Sequence, residues 1–155
     1  EHCNGKYIIM GDADDSYNFL ELSLFIERLQ AGYDMVMGNR FAGGITKGAM
    51  PWLHRYVGNP FLSSLGRFLF KNNIGDFHCG LRAFTKKCYN IINPQCNGME
   101  FASELVALAS IHQMRICEIP VTLYPDGRKR RPHLRSWRDG FRHMVLLYSL
   151  YLLRN

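Results

Sequence analysis

Apolar and polar positions alternate along the chain with two periods. Tyr7-Ile8-Ile9-Met10 is a continuous apolar run ahead of Gly11 and a group of aspartates, the pattern of a buried, parallel strand. From Phe19 to Gln30 apolar residues fall at Leu22, Phe25, Ile26 and Leu29, which predicts an amphipathic helix ended by Gly32. Asp34 to Gly38 predicts a second short strand. Strand, helix and strand at this spacing predict a βαβ unit with a right-handed crossover. After a Gly/Ala-rich loop with Arg40 and Lys47, residues 52–71 predict an aromatic-rich helix broken at Asn59-Pro60.

Asp76 to Phe84 predicts a turn running into a strand, and Met99 to Gln113 a helix with Phe101, Leu105, Leu108 and Ile111 on its apolar face. Between Arg115 and Tyr124 the alternation places Cys117, Ile119, Val121 and Leu123 on one face. Pro120 there predicts an edge strand. A basic loop, DGRKRRPHLR, precedes a last helix over 136–154. Ser136 with Asp139 is the spacing of a capping box, and Trp137, Phe141, Met144, Tyr148 and Leu152 share one face. Residues 144–153 hold one polar residue, Ser149. As a helix they rise roughly 15 Å against a bilayer core of about 30 Å. Such a segment would lie at a membrane interface or open a longer span. No internal repeat is seen.

Composition adds a class and a polarity. The chain has 155 residues, 47% hydrophobic and 21% charged, which excludes a disordered or low-complexity chain and predicts one domain. The formal charge is +6, and it is concentrated. Residues 128–155 carry 8 basic and 1 acidic residue, while residues 1–127 carry 11 basic and 12 acidic. A near-neutral body with a basic tail calls for an anionic partner. Five cysteines without a C-x-x-C pair argue for a reducing compartment, and the histidines lack zinc-site spacing.

The candidate chemistry begins at Asp12-Ala13-Asp14-Asp15-Ser16. Carboxylates at i and i+2 on a strand-end loop suit Mg²⁺ or Mn²⁺, with phosphate oxygens and water completing the shell. The same residues would also cap the following helix, and spacing alone leaves both readings open. Glu100 and Glu104 stand one helical turn apart, and solvent exposure is expected for at least one of them. Cys79 offers no sign of a reactive thiolate.

The strings YIIMGDADDSY, MGNRF, DFHCGLRAF, GMEFASELV and IPVTLYPDGRKRRPHLRSWRDGFRH, in this order, resemble family 2 glycosyltransferases over nearly the whole chain. The likeness is strongest to the branch that transfers sugars to dolichyl or polyprenyl phosphate. The resemblance implies an α/β, Rossmann-like GT-A fold, here a partial one. Its portion is residues 1–135, with 136–155 an amphipathic, membrane-interfacial helix. It also implies an upstream half that binds the nucleotide base, and an activity that this fragment alone would lack.

By resemblance, Asp12 and Asp14 map onto the metal and donor-diphosphate motif, with Asp14 the more direct ligand and Ser16 a weak contact. Arg40 maps onto the acceptor-phosphate cation, its alternative being a solvated loop charge. Asp76 would orient the acceptor and Arg82 would hold a phosphate. Their alternative is a buried Asp76–Arg82 pair that fixes the turn. Arg128, Lys129 and Arg131 would close over the donor diphosphate or meet anionic headgroups, worth about 1 kcal/mol per cation. Trp52, Leu53, Phe61, Leu62, Leu65, Phe68 and Leu69 are expected mainly in the core, with a second membrane-facing surface as the alternative.

The expected reaction is an inverting transfer of a hexose from a UDP- or GDP-sugar to a polyprenyl phosphate at the cytoplasmic membrane face. A phosphate acceptor, with its second pKa of about 6, is largely dianionic at neutral pH and needs cations rather than a strong base. A saccharide hydroxyl, the near rival, would need a carboxylate base, for which Asp76 is the candidate. A nucleic-acid-binding module would account for the basic tail but leaves the aspartates unused, so no nucleic acid is expected as partner. An inactive, membrane-docked partner protein is a further alternative.

Overall fold

The computed structural model describes residues 3–127 and 136–154. A four-stranded sheet has the order β1-β3-β2-β4. The strands are β1 (Tyr7–Met10), β2 (Met35–Asn39), β3 (Arg82–Thr85) and β4 (Ile116–Pro120). β3 runs antiparallel to both of its neighbours, and β4 is parallel to β2. So β1 and β2 point the same way with β3 between them, and the expected β-α-β unit skips one position. β1 differs from expectation: it is half-buried, pairs antiparallel with β3 and lies at an edge of this sheet. A continuous apolar run marks burial on both faces but carries no information on the direction of the neighbour.

The period of two sorts the strands into two cores. Val36, Ala83 and Ile119 face one side, where Phe25 and Leu29 of α1 (Leu22–Gln30) cover them. Met35, Met37 and Phe84 face the other, under α4 (Lys86–Ile92) and α5 (Phe101–Ile111). The alternation read for 115–124 holds, since Cys117, Ile119, Val121 and Leu123 all join the α1 side. β4 is the other edge, as Pro120 predicts. Gly32, at φ +92°, turns the chain out of α1 where an L side chain would be strained.

The aromatic stretch differs from the expected broken helix. Helix continues from Trp52 through a π turn at His54–Gly58 into α3 (Asn59–Phe70). Asn59 N–H bonds to His54 O, five residues back. Pro60 lacks an N–H, and its ring would crowd the carbonyl four residues earlier, so the widened turn absorbs the proline without ending the helix. α6 (Ser136–Arg154) packs on α3 and α5 through Leu147, Phe70 and Ala107, with Leu150 and Tyr151 beside them. Its buried stripe is therefore Asp139, His143 and Leu147. The face read as apolar turns outward, with Phe141 62% and Tyr148 59% exposed. The side chains of Ser136 and Trp137, and thus the capping box, lie outside the described residues.

Candidate active site

The sheet itself gathers the site. Arg82, the first residue of β3, is opposite Met10 at the end of β1 and Met37 near the end of β2. The loops leaving β1 and β2 and the loop entering β3 therefore meet at one edge of the sheet, beyond the carboxyl ends of two strands that point the same way, where open α/β sheets place ligands. These loops carry Asp12 and Asp14, Arg40, and the segment 76–81.

Arg40 opens the short helix α2 (Arg40–Gly43), capped by Asn39, whose side chain accepts from Ala42 N. Its guanidinium lies flat against Asp76. Nε donates to Oδ2 and Nη2 to Oδ1, each at 2.7 Å, and the Arg40 backbone N–H adds a third bond at 3.1 Å. Asp76 is fully buried and Arg40 is 8% exposed. His78 N donates to Asp76 Oδ1 as well, at 3.3 Å. Burial alone would disfavour the Arg40 cation, but the Asp76 bonds and charge outweigh it and hold the guanidinium firmly protonated. The ion pair read for this turn therefore exists with a different partner: Asp76 binds Arg40, not Arg82.

Arg82, expected to hold a phosphate, points inward. Nε and Nη2 donate to Cys79 O and Nη1 to Ala102 O, so it ties the 76–81 loop to α5. Burial lowers its affinity for the proton, with Asp12 and Cys79 opposing.

Asp14 is buried and accepts from Ser16 N at 3.2 Å and Ser16 Oγ through Oδ1. Asp15 takes φ +63°, and the helix cap falls to Asn18, which accepts from Leu20 N. The aspartates thus shape the loop rather than cap the helix. Asp12 lies on Gly80: a Cβ built there would come within 1.9 Å of Asp12 Oδ2. Only a glycine lets the acidic loop and the 76–81 loop touch in this way. Gly127 N donates to Asp14 O at 2.8 Å, so the chain enters its basic stretch from beside Asp14. Arg128, Lys129 and Arg131 themselves lie outside the described residues.

Two carboxylates are hard oxygen donors that fit Mg²⁺ or Mn²⁺ when a diphosphate supplies further oxygens. Among the described residues, no group of three or more His, Cys, Asp or Glu could hold a metal by itself.

Several site residues went unread in the sequence. Tyr17 accepts from Gly80 N at 3.1 Å and from Cys79 Sγ, and burial drives its phenol up. Burial likewise pushes the Cys79 thiol up to about 11, which keeps it protonated. Glu118 on β4 accepts from both Gly75 N and Asp76 N at 2.9 Å. The alternation put Glu118 off the apolar face, and that was the available signal. Glu100 and Glu104 correct an expectation, since neither is solvent-exposed. Glu104 accepts from Gln95 N and Cys96 N, and Glu100 pairs with Arg142. The Gln95 and Cys96 amides are donors the sequence pattern does not announce.

The mixed four-stranded sheet with helices on both faces has the GT-A fold of glycosyltransferases, as its likeness to a solved member of that class shows. The chain belongs to glycosyl transferase family 2, whose sequence profile matches residues 1–91. It is 39% identical over 145 residues to the low-salt glycan biosynthesis hexosyltransferase Agl6 of Haloferax volcanii, covering 93% of this chain and 35% of that protein. It is 32% identical over 116 residues to a dolichyl-phosphate hexose transferase of the same organism, covering 74% of this chain and 48% of the relative. In three dimensions it resembles glucosyl-3-phosphoglycerate synthase from Mycobacterium tuberculosis, with a TM-score of 0.68 at 15% identity, over 96% of this chain and 50% of that one. That enzyme has also been crystallised with Mn²⁺ and UDP-glucose. The chain spans half or less of the length of these proteins.

Proposed function

We propose that the intact protein is an inverting glycosyltransferase that moves a hexose from a UDP- or GDP-sugar to a polyprenyl phosphate at the cytoplasmic face of a membrane. The observation that carries this reading is the Arg40–Asp76 pair. All the acceptor capacity seen on Asp76 goes to Arg40 and to the His78 N–H. A carboxylate held so is a poor general base, which disfavours a sugar hydroxyl as acceptor. A phosphate oxygen arrives already ionised and needs a cation. Asp76 takes the Nε–Nη2 side of the planar guanidinium, which leaves the Nη1 end for a second anion. Asp12 and Asp14 would hold Mg²⁺ or Mn²⁺, which when bound neutralises the charge on the leaving diphosphate. Tyr17 and Glu118 keep the 76–81 loop in register with them. The acceptor phosphate would then attack the anomeric carbon from the side opposite the diphosphate.

The membrane half of the reading is supported by the outer face of α3 and α6. Trp52, in the helical turn ahead of α3, is 68% exposed and Phe68 81%, and on α6 Phe141 and Tyr148 are exposed as well. Four of the residues expected in the core (Trp52, Leu53, Phe61 and Phe68) are therefore on the surface, while Leu62 is buried. Among the described residues no helix is long and apolar enough to cross a membrane. Exposed aromatics on a helix that also carries Arg138, Arg154 and the Glu100-paired Arg142 have the chemistry of a helix lying in the headgroup layer.

The test uses the complete protein from its gene, with Mn²⁺ or Mg²⁺, a polyprenyl phosphate and a panel of labelled UDP- and GDP-hexoses. Label entering the lipid phase, lost in Asp14→Asn and Arg40→Ala, is the expected result. Transfer to added saccharides without lipid label would overturn the phosphate acceptor.

A further inference from the structure

A second polar cluster sits behind the Asp76 loop and has no part in the reaction just described. His78 of that loop, Ser103 of α5 and His143 of α6 meet in one chain of contacts. His78 Nε2 is 2.9 Å from Ser103 Oγ, and Ser103 Oγ is 2.8 Å from His143 Nδ1. The two imidazoles stand edge to face, with centroids 4.8 Å apart at 84°. Ser103 and His143 are buried, and His78 Nδ1 is buried with no hydrogen-bond partner.

Among the described residues Ser103 Oγ bonds only to these two rings, and accepting from both would bury its own proton without an acceptor, so it donates to one imidazole and accepts from the other. If Ser103 donated to His78, a neutral His78 would carry its proton on Nδ1, a buried donor with no acceptor. Buried orphan donors are rarer than under-used acceptors. The lower-cost order has His78 Nε2–H donating to Ser103 Oγ, and Ser103 Oγ–H donating to His143 Nδ1. His143 Nδ1 must then be bare. A proton added there sets two donors face to face, and reversing the serine restores the orphan on His78.

We propose that Ser103 and His143 are positioning residues for the Asp76 loop, and that protonation of His143 Nδ1 unlatches α6 from that loop. The latch stands on this geometry, and only its bearing on turnover rests on the glycosyltransferase reading. The groups facing His143 are Glu100, the residue that caps the start of α5, and Asp139 and Arg142 on α6. Burial is the largest influence and disfavours its cation, Arg142 adds to that, and Glu100 and Asp139 oppose. His78 is held neutral by burial, then by His143, Arg40 and Arg82. Glu104, also on α5, is engaged by Gln95 and Cys96. Both imidazoles therefore bind a proton less readily when latched than when open. The latch is fully stable above the ordinary histidine value of about 6.5 and weakens as pH falls below it.

The experiment takes the chain with ¹⁵N-labelled histidine and reads, by two-bond ¹⁵N–¹H correlation, which ring nitrogen holds the proton. The expected result at pH about 7.5 is Nε2–H on both rings. On lowering to about pH 5.5, His143 gains Nδ1–H while the hydrogen-exchange protection factors of α6 amides fall several-fold. His143→Phe keeps an edge-to-face ring and lessens that pH dependence to the part His78 contributes. Ser103→Ala lowers the protection already at neutral pH. An Nδ1–H tautomer on His143 at neutral pH would overturn the proposal, as would equal pH dependence in His143→Phe. If His143→Phe does not fold, the wild-type tautomers still decide. None of these readouts involves turnover, so the latch can fail while the enzyme reading stands, and the reverse.

Discussion

The strand-end site and the α3–α6 helical pair are built on opposite rules. At the site, charged groups are inside: Asp76, Arg40 and Arg82 are all buried, and each is held by several hydrogen bonds. On the helical pair, apolar groups are outside: Trp52, Phe61, Phe68, Phe141 and Tyr148 face away from the body. Each arrangement costs stability if the chain only has to fold. Buried charge is expensive to desolvate, and exposed aromatic surface forgoes burial worth about 25 cal/mol per Å². The first arrangement holds its groups in one geometry through several bonds each, while the second leaves large apolar side chains unburied within this chain.

The largest effect should come from breaking the buried pair on one side. Asp76→Asn leaves Arg40 charged and desolvated, and such half-pairs lose about 3–5 kcal/mol. A urea titration should show that loss as a lower midpoint with an unchanged slope. Arg40→Met combined with Asp76→Leu should recover a large part of it, because neither charge is then stranded. A loss below about 1 kcal/mol for Asp76→Asn would mean that water reaches the pair, and the contrast between the two regions would collapse.

Gly80→Ala should come next. Its methyl would fall within 1.9 Å of Asp12 Oδ2, the far end of a side chain, so the carboxylate would have to move. A cost of about 1–3 kcal/mol is expected for such overpacking. Adding Asp12→Ala should return part of it, and that non-additivity is the mark of direct contact. Strictly additive losses would show that the two loops do not touch in solution.

The thiols draw the same contrast chemically. Burial holds Cys79 up at about 11 and Cys88 at about 12, whereas Cys3 is exposed. At pH about 8 the thiolate fraction of Cys79 is about a thousandth. Exposed Cys3 should therefore react promptly with an aromatic disulfide reagent, and Cys79 and Cys88 only on unfolding. Prompt reaction of Cys79 would show that the 76–81 loop opens readily.

Most of the sheet was legible because its signals are local. The alternation across Cys117, Ile119, Val121 and Leu123 named a face, and Pro120 named an edge. The acidic loop, Arg40 and the 76–84 string were legible as a group through their resemblance to a family. Their pairing was not. Whether Asp76 takes Arg40 or Arg82 depends on which strand β3 lies beside, and that is a property of the sheet order rather than of spacing. Which face of α6 packs on the body was not legible for a related reason. Its periodicity contains two usable faces, and contact with α3 and α5 selected the one holding His143 and Leu147. Ser103 gave no signal, because a serine inside an apolar helix declares nothing until two histidines from distant segments reach it.

The smallest effect on stability should come from the helical pair, and it sharpens the comparison most. Trp52→Ser and Phe68→Ser remove large side chains that are 68% and 81% exposed. Substitutions at such positions usually stay within about 0.5 kcal/mol of neutral. The same pair should clearly weaken cosedimentation of the chain with vesicles of mixed anionic and zwitterionic lipid. The loss of aromatic insertion should persist at high salt, where the arginine contribution is screened. Unchanged stability with weakened binding would assign this face to a lipid surface. Unchanged binding would withdraw that assignment. A stability loss above about 2 kcal/mol would mean that the aromatics are packed, and the exposed apolar face of the helical pair would then be a second core.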